Sequence, residues 1–254
     1  MTAWRLILDG HRPAAENMAI DEAIMRHRPE LGVNTLRLYG WDPSAISIGY
    51  FQSLEREVDT AACVRHGVDV VRRITGGGAV YHDREGEVTY SLIMPSDDPL
   101  VRDHTVLGSY GVLLEGLVRA LSHLGIEAEF RPVNDIVVSG RKISGSAQTR
   151  RGGGILQHGT VLLDVDPEVM FRLLRVPDEK VRDKMVASVR ERVTSIRHLV
   201  GNIPRERVVD ALVEGFAAAL DAEFETGGLT SAEAAMVPEI VRERFANPEW
   251  TGRR

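Results

Sequence analysis

The first hundred residues alternate between short apolar segments and polar turns, a pattern that predicts β-strands and one early helix. Ile20, Ile24 and Met25 share one face of a helix predicted over 14–28, and Pro29 should end that helix. Glycine, proline or aspartate bounds each apolar segment, which is typical of strands. The strands predicted in this part of the chain cover residues 4–8, 35–39, 45–50, 69–74 and 87–94.

The middle of the chain predicts a second helix followed by hairpins. Four leucines recur at spacings of three and four, namely Leu114, Leu117, Leu121 and Leu124. This spacing predicts an amphipathic helix, and Gly125 is a typical helix end. From 126 to 164 the pattern returns to strands, interrupted at Ser139-Gly140 and at 150–154. Two hairpins are the simplest interpretation.

The last part of the chain, about 178–254, is predicted to be mainly helical. The segment 178–191 is charged, and Pro204 can occupy the first position of a further helix. The apolar face of that helix would consist of Val208, Leu212 and Phe216. Thr230 and Glu233 have the spacing of a capping box, which predicts the start of the final helix.

These elements favour an α+β fold, because the strands are joined by hairpins and the helices are grouped rather than alternating with strands. We expect a mixed sheet with flanking helices. The 254 residues fit one domain, 1–254, and neither an internal repeat nor a low-complexity linker divides them.

Composition excludes several classes of protein. The chain has 31 Lys and Arg against 37 Asp and Glu, a net charge of −6, so it lacks the basic field on which nucleic-acid binding relies. Cys63 is the only cysteine, which rules out an internal disulfide and a cysteine-based zinc site. Charged residues interrupt the N-terminal segment, and no apolar run approaches the ~18 residues of a membrane span. We predict a cytoplasmic protein with no membrane or nucleic-acid partner.

The densest chemical signal is the segment 72–83, where a predicted strand ends in two arginines and three glycines. Glycines let backbone N–H groups approach an anion closely, and Arg72 and Arg73 can neutralise its charge. The Rossmann fingerprint fails because Tyr81 stands where its third glycine belongs, and no lysine followed by serine or threonine completes a Walker loop. The alternative is that this glycine-rich hairpin is a plain turn.

Further candidates are a lysine, a histidine and the single cysteine. Within 134–148, Lys142 lies on the return strand of a hairpin among small residues, where it can reach into a pocket and hold a phosphoryl group and a carboxylate. A solvated lysine at a hairpin tip is the alternative. His158 begins a strand, where a structural, hydrogen-bonded histidine competes with a catalytic one. Cys63 lies in a helix-like stretch, which predicts a buried and unreactive thiol.

In this order and spacing, the segments resemble the lipoate–protein ligase family, part of the wider group of biotin and lipoate ligases and lipoyl transferases. The resemblance runs through residues 72–83, 134–135, 140–148 and 157–160, and more faintly through 187–193. It implies the α+β fold of the biotin and lipoate protein ligase catalytic domain, which agrees with the hairpin pattern.

The resemblance implies an ATP-dependent lipoate–protein ligase. Such enzymes convert lipoate and ATP to lipoyl-adenylate and pyrophosphate, with Mg²⁺ accompanying the ATP. They then transfer the lipoyl group to a lysine of a lipoyl carrier domain, of 2-oxoacid dehydrogenase E2 or glycine cleavage H protein type. The family's essential lysine falls on Lys142, and Asp135 is the candidate ligand for Mg²⁺. The residues expected to bind ATP and lipoate are Arg73, Gly76, Gly77, Gly78, Ala79, Val80, Tyr81, His82, Asn134, Asp135, Gly145 and His158.

The chain departs from the family pattern at its end. Many single-chain ligases continue into a small C-terminal accessory domain, whereas this sequence stops at 247–254, which resembles the junction to that domain. We therefore expect the accessory domain to be absent from this chain. A separate accessory subunit, as in bipartite family members, is one way to supply it, and adenylation by the isolated chain should then be weak.

Two other functions remain open. An octanoyltransferase of the same superfamily takes its acyl group from acyl carrier protein and uses a cysteine just upstream of the segment matching Asn134-Asp135, but residues 131–133 include no cysteine. A noncatalytic module that binds the lipoyl domain is the second alternative. The presence of Lys142 and an intact glycine segment argues against it.

Overall fold

The molecule is built on a large mixed sheet with a small sheet on one of its faces. The computed structural model describes residues 2–254, apart from the side chains of residues 28–31. The strands are β1 (Thr2–Arg12), β2 (Asn34–Trp41), β3 (Ala45–Ile48), β4 (Asp69–Arg72), β5 (Val80–His82), β6 (Glu87–Pro95), β7 (Glu129–Arg131), β8 (Asp135–Val138), β9 (Arg141–Arg151), β10 (Gly154–Leu162) and β11 (Ala222–Thr226). The large sheet has the order β11-β1-β2-β6-β10-β9-β8-β7, and the small sheet has the order β4-β3-β5.

Helices cover both faces of the large sheet. They are α1 (Ala14–Leu31), α2 (Leu54–Glu57), α3 (Thr60–His66), α4 (Val106–His123), α5 (Pro167–Leu173), α6 (Glu179–Arg192), α7 (Ile196–Val200), α8 (Arg205–Leu220), α9 (Ser231–Ile240) and α10 (Pro248–Thr251). A π-helical turn, Val241–Phe245, joins the last two. The α+β class with a mixed sheet and flanking helices is confirmed.

Alternation along the central strands separates two hydrophobic cores. On β6, Tyr90 and Leu92 face the core formed with α4 and α8, whereas Ile93 faces the core formed with α1 and α9. Because successive side chains of a strand point to opposite faces, each central strand contributes to both cores. Polar side chains such as Thr89 and Ser91 on the α1 side are buried as well, so this face has room for a polar site.

The strand hairpins and several helix ends agree with the sequence. The hairpin β8–β9 turns at Ser139 and Gly140, both with positive φ, and the hairpin β9–β10 turns at Gly152-Gly153. Helix α4 ends just before Gly125, whose φ is 74°. The capping box of Thr230 and Glu233 is present at the start of α9. These features depend on local geometry, which is why the sequence reveals them.

Other sequence predictions were wrong where contacts between distant parts of the chain determine the bounds and order of the elements. Helix α1 continues to Leu31 and passes Pro29, because packing of its apolar face against α9 and the sheet outweighs the local signal. Pro204 is the N-cap of α8 rather than its first residue. Strand β11 interrupts the region predicted to be helical, since it pairs in parallel with β1. The helix α9 is followed by α10, so it is not the last.

The glycine segment between β4 and β5 is not a hairpin. Both strands pair with β3, β4 in parallel and β5 antiparallel, so residues 73–79 cross over β3 instead of turning back along β4. Crossing the strand brings this segment over the face of the large sheet. In the part of the chain that the structure describes, no helix is long and apolar enough to cross a membrane.

Candidate active site

A cavity of about 310 Å³ lies between the two sheets, a volume in the range of small-molecule sites. Its floor consists of residues on β2, β6, β10 and β9, including Trp41, Thr89, Thr160 and Gly145. Its roof consists of β3, β5 and the glycine segment. Neighbouring strands are about 4.8 Å apart, so the floor spans roughly 14 Å across these four strands. The cavity therefore extends across four strands of the large sheet.

Lys142 lies at the β9 end of this cavity because of a β-bulge. Val137 pairs with Lys142 and Ile136 pairs with Ser144, so Ile143 is an additional residue on β9. Strict alternation would direct Lys142 and Gly145 to opposite faces, but the additional residue brings both to the cavity. A bulge that redirects a side chain beside a cavity is common near active sites.

The Lys142 side chain depends on a glycine and an aspartate. A Cβ atom at Gly145 would lie 2.5 Å from the Lys142 Nζ atom, so the lysine passes directly over the bare backbone of this glycine. The Nζ atom forms an ion pair of 2.7 Å with Asp135 Oδ1, and 42% of the lysine side chain is exposed. The ammonium group is thus oriented yet accessible from solvent.

The backbone around Lys142 is held by the segment after α6. Lys142 forms a bridge with Val193, and its carbonyl accepts a hydrogen bond of 2.8 Å from the Thr194 N–H. Val189 and Val193 also line the cavity. Residues 187–193, where the family resemblance is faint, span the end of α6 and the residue after it, and Val189 and Val193 form an apolar wall there.

The two arginines before the glycine segment donate hydrogen bonds to backbone carbonyls. Arg73 is buried and donates hydrogen bonds to the carbonyls of Ser47, Gly76 and Gly78 at 2.7–2.9 Å. Burial lowers the pKa of Arg73 to about 10. Arg72 is fully buried and donates to carbonyls in segments 49–52 and 250–251. The expectation that Arg72 neutralises an anion was wrong, since its donors are already used.

A buried hydrogen-bond chain closes the β2 end of the cavity. His82 stacks on Trp41 with ring centroids 4.0 Å apart, and its Nδ1 atom lies 2.7 Å from Glu87 Oε1. Its Nε2 atom lies 2.8 Å from the Ser47 hydroxyl. If the Glu87 carboxylate accepts from Nδ1–H, Nε2 is the acceptor and the Ser47 hydroxyl is the donor. These bonds use the polar atoms of His82 within the protein.

His158 connects the cavity floor to helix α1. Its Nε2 atom lies 2.7 Å from the Thr75 hydroxyl, and its Nδ1 atom faces Asp21 Oδ2 at 3.6 Å. Burial lowers the pKa of His158, although Asp21 acts in the opposite direction. Asp21 is itself held by Arg37 and by the Ser91 hydroxyl. The histidine is therefore a neutral, structurally held group at neutral pH.

The remaining candidates support the walls. The Asn134 side-chain amide donates a hydrogen bond to the Ser146 backbone carbonyl. The Asn134 backbone carbonyl accepts a hydrogen bond of 3.1 Å from the Ser146 backbone N–H. The Tyr81 hydroxyl donates to Asp83 Oδ2 at 3.1 Å, and burial raises the pKa of Tyr81 to about 12. Tyr81 therefore stays protonated and contributes its ring and hydroxyl to the wall.

The structure brings most predicted site residues to this one cavity. Those that line it are Arg73, Gly77, Gly78, Ala79, Val80, Tyr81, His82, Asn134, Lys142, Gly145 and His158. Gly76 and Asp135 do not line it; Gly76 holds Arg73, and Asp135 holds Lys142. Sequence reasoning missed other lining residues, including Met18, Tyr39, Trp41, Met170 and Val189. They carry no chemical signal in the sequence, because their apolar side chains resemble those of any core.

Cys63 lies on the opposite side of the small sheet. It is 1% exposed and packs with Ile46, Ile48 and Val58, whereas Ser47 between those isoleucines lines the cavity. Burial raises the pKa of the Cys63 thiol to about 11. A buried, protonated thiol on the far face of β3 is a poor nucleophile for a group bound in the cavity.

The site offers little to a metal ion of its own. No group of three His, Cys, Asp or Glu residues that could hold a metal occurs among the residues described. Asp135, the candidate Mg²⁺ ligand, is a single carboxylate already paired with Lys142. Mg²⁺ usually takes one or two carboxylates together with phosphate oxygens. A single paired carboxylate is thus not a complete Mg²⁺ site without phosphate oxygens.

The fold and this cavity define a family of lipoyl ligases and transferases. Residues 13–217 match the model of the lipoyl protein ligase A/B catalytic domain. The chain belongs to this family, as the resemblance implied.

Individual relatives are similar along their whole length. The octanoyltransferase LipM of Kyrpidia tusciae is 44% identical over 278 aligned positions, covering all of both chains. A bipartite lipoate protein ligase from Thermoplasma acidophilum, described together with its lipoyl domain, is 32% identical with a TM-score of 0.89, covering 99% of this chain and 97% of that one. A lipoate-protein ligase A bound with ATP is 30% identical with a TM-score of 0.85, and 99% of each chain is covered.

Proposed function

We propose that this protein transfers an eight-carbon acyl group, lipoyl or octanoyl, to a lysine of a lipoyl carrier domain. The observation that carries the proposal is the long cavity between the sheets with Lys142 at one end and Trp41 and His82 at the other. An extended acyl chain fits such a shape with its tail toward Trp41 and its carboxyl end toward the lysine. Apolar walls favour the chain, and the cation favours the charged end.

Lys142 would act on the charge that develops at the acyl carbon. An ammonium group held in place by Asp135 can stabilise negative charge on the acyl oxygen in the transition state without reorganising during the reaction. Its position over Gly145 leaves the Nζ atom free to approach a ligand in the cavity. The same cation reduces repulsion if a carboxylate must meet a phosphate group.

The position of the thiol bears on how the acyl group is activated. The only cysteine is Cys63, and it lies outside the cavity with a raised pKa. We therefore propose transfer without a cysteine thioester, with ATP-dependent activation of lipoate as the first candidate route. Gly77 and Gly78 are exposed and would contact the nucleotide from their backbone, and Lys142 would contact its phosphate. ATP would supply the leaving groups, namely pyrophosphate when lipoyl-adenylate forms and AMP when the acyl group passes to the carrier lysine.

Octanoyl transfer from acyl carrier protein is the second candidate, and the names of the relatives favour it. An octanoyltransferase aligns with the whole chain at 44% identity, higher than the ligases described above. That alignment nevertheless spans 278 positions against the 254 residues of this chain, so the relative has segments that this chain lacks. In this route the carrier lysine would attack the octanoyl thioester directly, and Lys142 would stabilise the oxygen of the tetrahedral intermediate. The C–S bond would then break, and the thiol of acyl carrier protein would leave with a proton from the attacking amine.

The mass of a lipoyl domain incubated with the protein distinguishes these routes. Lipoylation with free lipoate, ATP and Mg²⁺ would support the ligase, with or without an added accessory subunit. Octanoylation with octanoyl acyl carrier protein in the absence of ATP would support the transferase. An unmodified domain under every condition, despite measurable binding, would favour the noncatalytic module.

A further inference from the structure

A group of exposed and half-buried aromatic and arginine side chains lies beside the glycine segment. We call it the arginine–aromatic patch, and it consists of Tyr50, Phe51, Arg151, Arg253 and Arg254. Phe51 is 68% exposed. The Tyr50 ring contacts two guanidinium groups, Arg253 at 3.7 Å and Arg151 at 4.5 Å from its centroid. The guanidinium of Arg254 lies 5.4 Å from the centroid of Phe51.

The base of the patch is firmly held, although its surface faces solvent. Arg72 donates hydrogen bonds to the carbonyls of Gln52 at 2.6 Å and Thr251 at 2.8 Å, which fastens the two segments that carry the patch to each other. The Trp250 indole N–H donates back to the Arg72 carbonyl at 2.9 Å. A preorganised surface loses little conformational entropy when a partner binds.

The patch adjoins the cavity. A Cβ atom at Gly49 would lie 2.0 Å from the Gly77 carbonyl oxygen, so the segment leading into Tyr50 touches the glycine segment that lines the cavity. The Tyr50 N–H also donates to the Thr75 carbonyl at 2.9 Å. A macromolecule that delivers a lysine side chain to the cavity must cover some of the surface around it, and this surface is next to the cavity roof.

The charge of the patch identifies the kind of partner. Among the side chains that the structure describes, no carboxylate forms an ion pair with Arg151, Arg253 or Arg254. The patch therefore contains three guanidinium groups without a paired side-chain carboxylate, in a chain whose net charge is −6. Arginine and aromatic residues dominate the energetically important parts of protein interfaces. A partner surface that is acidic around an apolar centre would complement this arrangement.

We propose that the arginine–aromatic patch docks an acidic face of the lipoyl carrier domain that accepts the acyl group. This inference rests on the proposed function, and it adds the surface on which the acceptor is recognised. Phe51 would enter the apolar centre of the contact, and Arg151 and Arg254 would pair with carboxylates around it. Arg253 mainly supports Tyr50, since it also donates to the Tyr50 carbonyl.

The experiment compares patch variants with matched controls in the full chain. The patch variants are Phe51→Ala and the double variant Arg151→Glu with Arg254→Glu. Val64→Ala is the apolar control, since Val64 is 81% exposed on α3, and Arg207→Glu is the charge control on α8, across the large sheet. Titration calorimetry measures the Kd of an isolated lipoyl domain, and the acylation rate is measured against the concentrations of the domain and of the acyl donor.

We expect the double variant to raise the Kd and KM for the lipoyl domain about 10-fold, and Phe51→Ala to act in the same direction. The KM for the acyl donor should not change, and added salt should weaken domain binding to the wild type more than to the double variant. Patch variants that bind the domain within two-fold of the controls would overturn the proposal, as would a wild type that binds no lipoyl domain. A wild type that binds but never acylates would contradict the proposed function and leave docking supported.

Discussion

Two cationic side chains face the same cavity, but they differ in burial and in how many of their hydrogen-bond donors are in use. Arg73 is buried in the roof, and its donors are used on the carbonyls of Ser47, Gly76 and Gly78. Lys142 is partly exposed on the floor, and Asp135 is its ion-pair partner. Both residues were candidates because positive charge suits an anionic ligand. A cation is available for chemistry only where the protein leaves part of its hydrogen-bonding capacity unused.

Lys142→Ala should give the largest effect on activity. Removing one preorganised electrostatic contact costs about 10²–10³ in rate, and the melting temperature should stay near that of the wild type because the side chain is not part of a core. The measurement is acylation of the lipoyl domain by the route found active, together with pyrophosphate release if ATP is required. A rate within a few-fold of wild type would remove Lys142 from the mechanism.

Two further variants sharpen this prediction. Lys142→Arg should also be slow, because a planar guanidinium does not replace a compact ammonium between two groups.

Gly145→Ala should displace Lys142 without unfolding the chain, since the added Cβ atom would meet the end of a flexible side chain. Full activity of Gly145→Ala would show that the close passage over this glycine is unimportant.

Arg73→Met tests the other cation of this comparison, and it should lower the stability of the protein. The substitution leaves buried carbonyls without a donor, and we expect the free energy of unfolding to fall by about 2–4 kcal/mol. Activity should fall together with order in the glycine segment, as chemical denaturation and limited proteolysis would reveal. Loss of activity with unchanged stability would instead indicate that Arg73 contacts the ligand.

His158 predicts a moderate dependence of stability on pH. Burial lowers its pKa below the ordinary value, so the unfolded chain binds a proton more readily than the native one. The stability that neutral His158 provides is complete above pH of about 6.5 and decreases as the pH falls toward its lowered pKa. Between pH 7.5 and 5.5, the melting temperature of wild type should fall by on the order of 2–4 °C more than that of His158→Gln. Equal decreases would contradict this assignment.

Cys63→Ala should have the smallest effect on catalysis. The thiol lies on the far side of the small sheet, so acyl transfer should be unchanged, and the variant should lose about 1 kcal/mol of stability from a small buried group. Alkylation of the native wild type at pH 8 should be slow because the pKa of the thiol is about 11. A folded Cys63→Ala protein without any transfer activity would require a thioester mechanism after all.

The sequence by itself determined the local turns and helix ends and the types of side chain that can take part in the chemistry. The hairpin turns at 139–140 and 152–153, the helix end before Gly125 and the capping box at Thr230 all depend on residues close in sequence. The family and the fold class were likewise accessible, as were lining residues such as Lys142 and Gly145, because they belong to ordered motifs.

Only the tertiary structure decided where those residues point and what they hold. The bulge at Ile143 directs Lys142 into the cavity, and the crossing of β3 converts an expected hairpin into a roof. Arg72 donates its hydrogen bonds to backbone carbonyls of segments that are far apart in sequence. Strand β11 pairs with β1, although more than two hundred residues separate them. Such pairings depend on long-range packing, which no local pattern of side chains encodes.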